Sequence, residues 1–204
     1  DSPFENEYGK YVFIDTAGIR RQSRVEDRVE KFSVLRAKMA VERADVCLLV
    51  IDAVEGVTEQ DEKIAGIAHE AGKATIVCVN KWDLVEKDNK TVNAYTKKVY
   101  DALSYMTYAP LLFISAQTGQ RVPKLFEHIN YVNNQSKMRI STGMLNDVLA
   151  LSSVAPPTFI MFCNNAELFH FSYQRYIENH LRQTFGFKGT PIRIVVRQRG
   201  DKEE

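Results

Sequence analysis

Cysteine, proline and tryptophan are scarce in this chain, at 3, 6 and 1 of 204 residues. Cys47, Cys78 and Cys163 stand far apart, each inside an apolar run. That placement fits buried thiols in a reducing compartment and argues against a disulfide framework or a cysteine-bound metal. Apolar runs are short: none approaches the roughly 20 residues that a membrane-spanning helix needs. The first residues, DSPFENEYGK, do not resemble a secretory leader. The expected compartment is therefore the cytoplasm. An excess of one charge is also missing, since 27 basic residues meet 26 acidic ones for a formal net charge of +1. Whole-chain charge thus selects no partner, although nine basic against six acidic residues from Lys137 onward make the last third slightly basic. Repeats and low-complexity tracts are absent.

What is present is a hydrophobic share of 45%, enough to build one large domain or two small ones. Residues 11–14 form a short apolar strand, which the turn at Tyr8-Gly9-Lys10 can fold back onto the Phe4 region. Over 25–43 the apolar residues recur at helical spacing. DVCLLVIDA (45–53) is almost continuously apolar, the pattern of a parallel strand buried on both faces. Thr58 opens a helix that Gly72 closes. ATIVCVNKWDL (74–84) and PLLFISAQTG (110–119) are two further buried strands, with helices after each, over about 89–103 and 122–136. Buried strands alternating with helices predict a doubly wound parallel α/β domain over residues 1–136. Ligands of such sheets bind at the carboxyl ends of the strands, and those ends are polar here: Asp15, Asn80 to Asp83, and Ser115 to Gln117. Residues 137–204 read as a small α+β unit. A helix is expected over 141–151, then a break at Pro156-Pro157, a strand over 158–164, a helix over 171–185 and a strand over 190–199.

Three strand exits carry chemistry. In Asn80-Lys81-Trp82-Asp83 the carboxylate fork of Asp83 matches the ring N–H and exocyclic amine of guanine. Adenine has an acceptor at the ring position and lacks that amine. Charge-assisted bonds are worth about 1.5–3 kcal/mol each, and a site built for such a pair rejects the wrong base by about 10⁴-fold or more. The stem of Lys81 can lie along the base, and Asn80 can tie the loop to its neighbours. Ser115-Ala116-Gln117 can offer backbone N–H groups to the guanine carbonyl. Asp15-Thr16-Ala17-Gly18 follows the first strand; Asp15 can hold Mg²⁺ through water, and Gly18 lets its amide approach a terminal phosphate without a Cβ in the way. A plain strand-ending turn remains the alternative for that segment.

Taken in order, these motifs resemble the GTPase branch of the P-loop NTPases. More closely, DTAGIRR, EKFSVLRAKMAVERADVCLLVIDA, EGVTEQD, NKWDL and HFSYQRYIENHLRQTFGFKGTPIRI resemble the bacterial Der (EngA) family, along essentially the whole chain. The resemblance implies the second of two tandem G domains followed by a KH-like domain, and a GTPase acting in assembly of the large ribosomal subunit and its rRNA. It also implies a first G domain upstream. Two departures stand out. The G-x-x-x-x-G-K-[ST] loop that grips phosphates is absent, together with the first sheet strand, and Ser152-Ser153-Val154 stands where the family has a longer connection and another strand. A sheet lacking its central strand would leave the flanking apolar runs uncovered, so segments beyond these residues are expected. Ile19, directly after D-T-A-G, cannot orient a water as the glutamine of Ras-like GTPases does. By the resemblance, K⁺ near the β- and γ-phosphates, ribosomal RNA or a neighbouring domain would replace it.

In the second unit, Gly186-Phe187-Lys188-Gly189 copies the G-x-x-G of nucleic-acid-clamping KH loops but joins a helix to a strand, so it reads as a helix end and turn. Arg175, Arg182, Lys188, Arg193, Arg197 and Arg199 can spread phosphate contacts over a face or form a solvated basic surface. His69, His128, His170 and His180 lack metal-ligand spacing. Two function classes remain: a GTP-hydrolysing switch, or a non-hydrolysing guanine-nucleotide-responsive module that binds RNA or protein. An ATP-using enzyme of the same fold is disfavoured by Asp83.

Overall fold

The computed structural model describes residues 1–14, 27–137, 149–152, 156–163 and 171–198. In chain order they form β1 (Ser2–Asn6), β2 (Gly9–Phe13), α1 (Asp27–Arg43), β3 (Val46–Asp52), α2 (Glu59–Glu70), β4 (Ala74–Asn80), α3 (Thr91–Ala102), β5 (Leu111–Phe113), α4 (Val122–Ser136), β6 (Leu149–Ser152), β7 (Thr158–Cys163), α5 (Phe171–Phe185) and β8 (Arg193–Gln198). Short 3₁₀ turns sit at Trp82–Leu84 and Ser104–Met106.

β4 is the centre of the first unit because its sequence is apolar on both faces. It pairs in parallel with β3, from Val46↔Ala74 to Asp52↔Asn80, and on its other side with β5, from Val77↔Leu111 to Val79↔Phe113. Alternation then divides its side chains between two cores. Val77 and Val79 join Leu49, Ile51, Val99, Leu103, Met106 and Phe113. Ile76 and Cys78 join Leu112, Ile114 and Val132 of α4. Burial pushes the Cys78 thiol up to about 12 and that of Cys47 to about 11, so both stay protonated and free. α2 starts where a capping box fixes it: Thr58 Oγ1 accepts the Asp61 N–H, and Asp61 Oδ2 accepts the Thr58 N–H.

The expectation that 45–53 is buried on both faces is corrected. Only Leu49 and Ile51 of β3 are fully buried, and Val50 remains 47% exposed. The physical reason is that, among the described residues, no strand is hydrogen-bonded to the outer edge of β3. β1 and β2 form a separate antiparallel hairpin, Phe4↔Tyr11, turning at Glu7 and Tyr8. This hairpin lies on α4 through Phe126, whose ring is 5.4 Å from Phe4 and 5.2 Å from Tyr11. β2 and β3 together line a cleft of about 600 Å³, floored by Ala37 and Val41 of α1 and Ile64 and Ala65 of α2. Among the described residues, the apolar side of this cleft is thus left without a strand between β2 and β3.

The second unit is a three-stranded sheet in the order β6-β7-β8, with β6 antiparallel and β8 parallel to β7. α5 closes one face, packing Ile177 and Leu181 against Phe159, Phe187 and Ile194. Leu149–Ser152 is therefore a strand, not the end of the helix expected over 141–151, because pairing with β7 decides the conformation of a short apolar run. Residues 138–148 lie outside the described residues.

The two units meet through the Gly186 to Thr190 turn. The Thr75 N–H donates to Gly189 O at 2.7 Å, and the Gly189 N–H to Tyr108 O at 2.8 Å. The turn therefore sits on the amino ends of both β4 and β5. Gly189 has φ +78 and lies directly against Val132 and Pro110, which leaves no room for a Cβ.

Candidate functional site

Strand exits of β4 and β5 place two of the sequence motifs side by side. Asn80 ends β4, and its Oδ1 accepts the Ala116 N–H at 2.9 Å, while the Trp82 N–H donates to Ile114 O at 3.1 Å. The loop carrying Asp83 is thereby fastened to the loop carrying Ser115, Ala116 and Gln117. Trp82, grouped with the base-reading residues in the sequence, turns inward. It is 2% exposed, packs 4.3 Å from the Phe113 ring and edge-on to Tyr95, and so anchors the loop from below.

Asp83 is partly buried, and its Oδ1 is shielded without a hydrogen-bond partner among the described residues. Leaving a buried carboxylate oxygen unpaired is costly, and a ligand with two adjacent N–H donors relieves it. Lys81 adopts a left-handed backbone (φ +60) at the strand exit, and its Nζ lies 2.6 Å from Asp52 Oδ2. Ser115 is fully buried, its Oγ accepting the Thr118 N–H. Of the three amides proposed for a guanine carbonyl, that of Ser115 donates to Gln120 O and that of Ala116 to Asn80 Oδ1. The Gln117 amide is the one left for a ligand.

Asp52 was overlooked in the sequence, although it stands at a polar strand exit like the others. The register Asp52↔Asn80 sets it beside the NKWD loop, and the same reasoning about strand ends could have found it. Its carboxyl lies below the usual carboxylate range, chiefly through the hydrogen bond from Lys81.

The third motif, Asp15, Thr16, Ala17 and Gly18, with Ile19, lies outside the described residues. Ile14, the last residue before it, follows β2 and borders the open cleft. Among the described residues no group of three or more His, Cys, Asp or Glu side chains could hold a metal.

The basic residues of the second unit do not make one patch. Arg182 is withdrawn from the RNA-contact set: it bonds Glu178 Oε1 through Nε and Nη2, and Phe187 O and Thr190 O through Nη1. Its guanidinium also stacks 4.7 Å from the Tyr108 ring. Arg193 and Arg197 are exposed on β8, on the side opposite Ile194 and hence away from α5. Arg175 is exposed on α5 and Lys188 at the docking turn, while Arg199 is outside the described residues. The G-x-x-G segment is a helix end and turn, pressed onto the first unit. His69 Nδ1 lies 2.8 Å from Tyr108 Oη, and His128 from Lys124 O at the same distance, so both are packing residues.

A parallel sheet whose carboxyl edge carries the Asn80 to Asp83 and Ser115 to Gln117 loops has the fold of the GTPase class of nucleotide-binding domains. Residues 4–134 match the family model described as the elongation factor Tu GTP binding domain, and residues 151–197 match that of the KH-domain-like, C-terminal part of EngA bacterial GTPase enzymes. GTPase Der of Acetivibrio thermocellus is 53% identical over 221 residues, covering 98% of this chain and 50% of that protein. GTPase Der of Alkaliphilus metalliredigens is 50% identical over 225 residues, covering 100% and 51%. Era of Aquifex aeolicus, in a structure bound to GDP and AlF₄⁻, overlays at a TM-score of 0.44 with 19% identity, covering 84% of this chain and 71% of that one. The chain belongs to the bacterial GTPase Der (EngA) family, and it spans about half the length of the curated relatives it matches.

Proposed function

We propose that this chain is the guanine-reading and KH-like part of a GTP-binding, GTP-hydrolysing switch protein. Asp83 selects guanine, Lys81 covers one face of the base, and Asn80 holds the two loops together. Asp15 and Gly18 sense the γ-phosphate, with Asp15 holding Mg²⁺ through water; bound Mg²⁺ would neutralise charge developing on the phosphates. Phosphate-gripping backbone comes from polypeptide outside these 204 residues, next to the open edge of β3. Ile19 leaves the attacking water to be oriented by another group, for which K⁺ is the family's candidate. Relatives bearing the name GTPase Der support hydrolysis as the activity, and the KH-like unit supports RNA as the partner; within that reading the partner is the large ribosomal subunit and the compartment the cytoplasm.

One observation carries the proposal: the shielded, partnerless Oδ1 of Asp83 beside the Asn80–Ala116 tie. The test is Asp83→Asn in the full-length protein, with GDP and XDP binding titrated in parallel. Guanine affinity should fall by about 10²-fold or more while xanthine binding rises, since xanthine presents an acceptor to the new amide. Unchanged GDP binding would remove the guanine pocket from this loop. Binding without multiple turnover in the wild-type protein would favour the non-hydrolysing module.

A further inference from the structure

Asp52 is not one of the motif residues, yet it is built into the site. Its side chain is only 14% exposed. Oδ1 accepts the Val54 N–H at 2.9 Å, and the Glu55 amide adds a second backbone bond. The chain after it is held as well: the Ala53 N–H donates to Asn80 O at 2.8 Å, and Tyr95 Oη donates to Ala53 O at 3.0 Å. A carboxylate fixed by its own turn is a rigid acceptor. Its free oxygen, Oδ2, is 2.6 Å from Lys81 Nζ. Lys81, by contrast, is long and its side chain is 54% exposed.

We propose that Asp52 is a positioning residue of the guanine pocket: it holds the Lys81 ammonium so that the lysine stem is ordered at the pocket before a base arrives. Ordering a flexible side chain during binding costs affinity, and ordering it beforehand removes that cost. Lys81 holds a left-handed backbone (φ +60), and its side chain ends at Asp52, the last residue of β3. The inference rests on the guanine reading of the NKWD loop.

The test is a double-mutant cycle in the full-length protein, with Asp52→Asn, Lys81→Met and the double variant, read as the dissociation rate of a fluorescent GDP. Methionine keeps an apolar stem but removes the ammonium. Asp52→Asn should speed GDP release about two- to tenfold, the effect of disordering one long side chain, and should do nothing further in the Lys81→Met background. Asp52→Glu should restore part of the loss. An Asp52→Asn effect of equal size in both backgrounds would mean a structural role only, and no effect in the wild-type background would also overturn the proposal. Asp83→Asn run alongside separates the two readings: if it leaves GDP binding intact, the guanine pocket is misplaced. If it abolishes GDP preference while the cycle is additive, Asp52 alone is misassigned. Carbon-13 titration of the Asp52 carboxyl without nucleotide adds an independent check, because Lys81→Met should move its midpoint upward.

Discussion

His69 shows how one side chain reports on the junction of the two units. Burial holds its pKa below the usual 6.5, with Glu178 and Glu70 pulling upward and Arg182 pulling downward. Tyr108 Oη and the Tyr105 ring are its other neighbours. A base whose folded pKa is depressed takes up its proton more readily when unfolded. Below its folded pKa, therefore, the folded state is penalised, and stability recovers as pH rises towards 6.5. Urea midpoints measured between pH 5 and 7 should climb over that window in the wild type and lose part of the slope in His69→Gln. Equal slopes would show that His69 is not a source of the pH dependence. Such residue-scale facts were the least legible in the sequence. The hydrogen-bond partner of His69, Tyr108, is 39 positions away in the sequence. Arg182 likewise looked free because Tyr108 and Glu178 are brought to it only by docking and by helical geometry.

Elements were read more easily where a local rule fixes them. The start of α2 is written in Thr58 and Asp61, and its end in Gly72, whose φ of +69 favours glycine. Thr58→Ala should cost about 1 kcal/mol of unfolding free energy, measured by urea denaturation; no loss would mean that the helix start is held by packing of Ala65 and Ala68 instead. β4 was legible because both its faces are apolar. β3 was not, because the same pattern misleads when one edge goes unpaired: seven apolar-rich residues cannot tell which neighbours exist. β6 failed for a related reason, a short apolar run being strand or helix according to what it meets. At the site, the NKWD and SAQ exits followed from strand order, whereas the consumption of the Ala116 amide by Asn80 required the two loops in place.

At the scale of the whole molecule, the question is whether the two units behave as one. Gly189 decides much of this, being pressed on Val132 and Pro110 at positive φ while both its N–H and C=O bond the first unit. We expect a single unfolding transition for the wild type, seen alike by tryptophan fluorescence from the first unit and by backbone circular dichroism. Gly189→Ala adds backbone strain and overpacking, worth about 2–4 kcal/mol together, and should split the transition in two. A variant that still melts in one step at the wild-type midpoint would show that the junction does not depend on this turn.

β4 spans seven residues, and at about 3.3 Å per residue this is a rod of roughly 20 Å. The docking turn is fastened at one end of the rod, and the Asn80 to Asp83 loop leaves from the other. β5 repeats the arrangement over a shorter span. Pushing on the small unit therefore loads the Asn80 to Asp83 and Ser115 to Gln117 loops through two stiff struts side by side, with no joint between the point of contact and the loops.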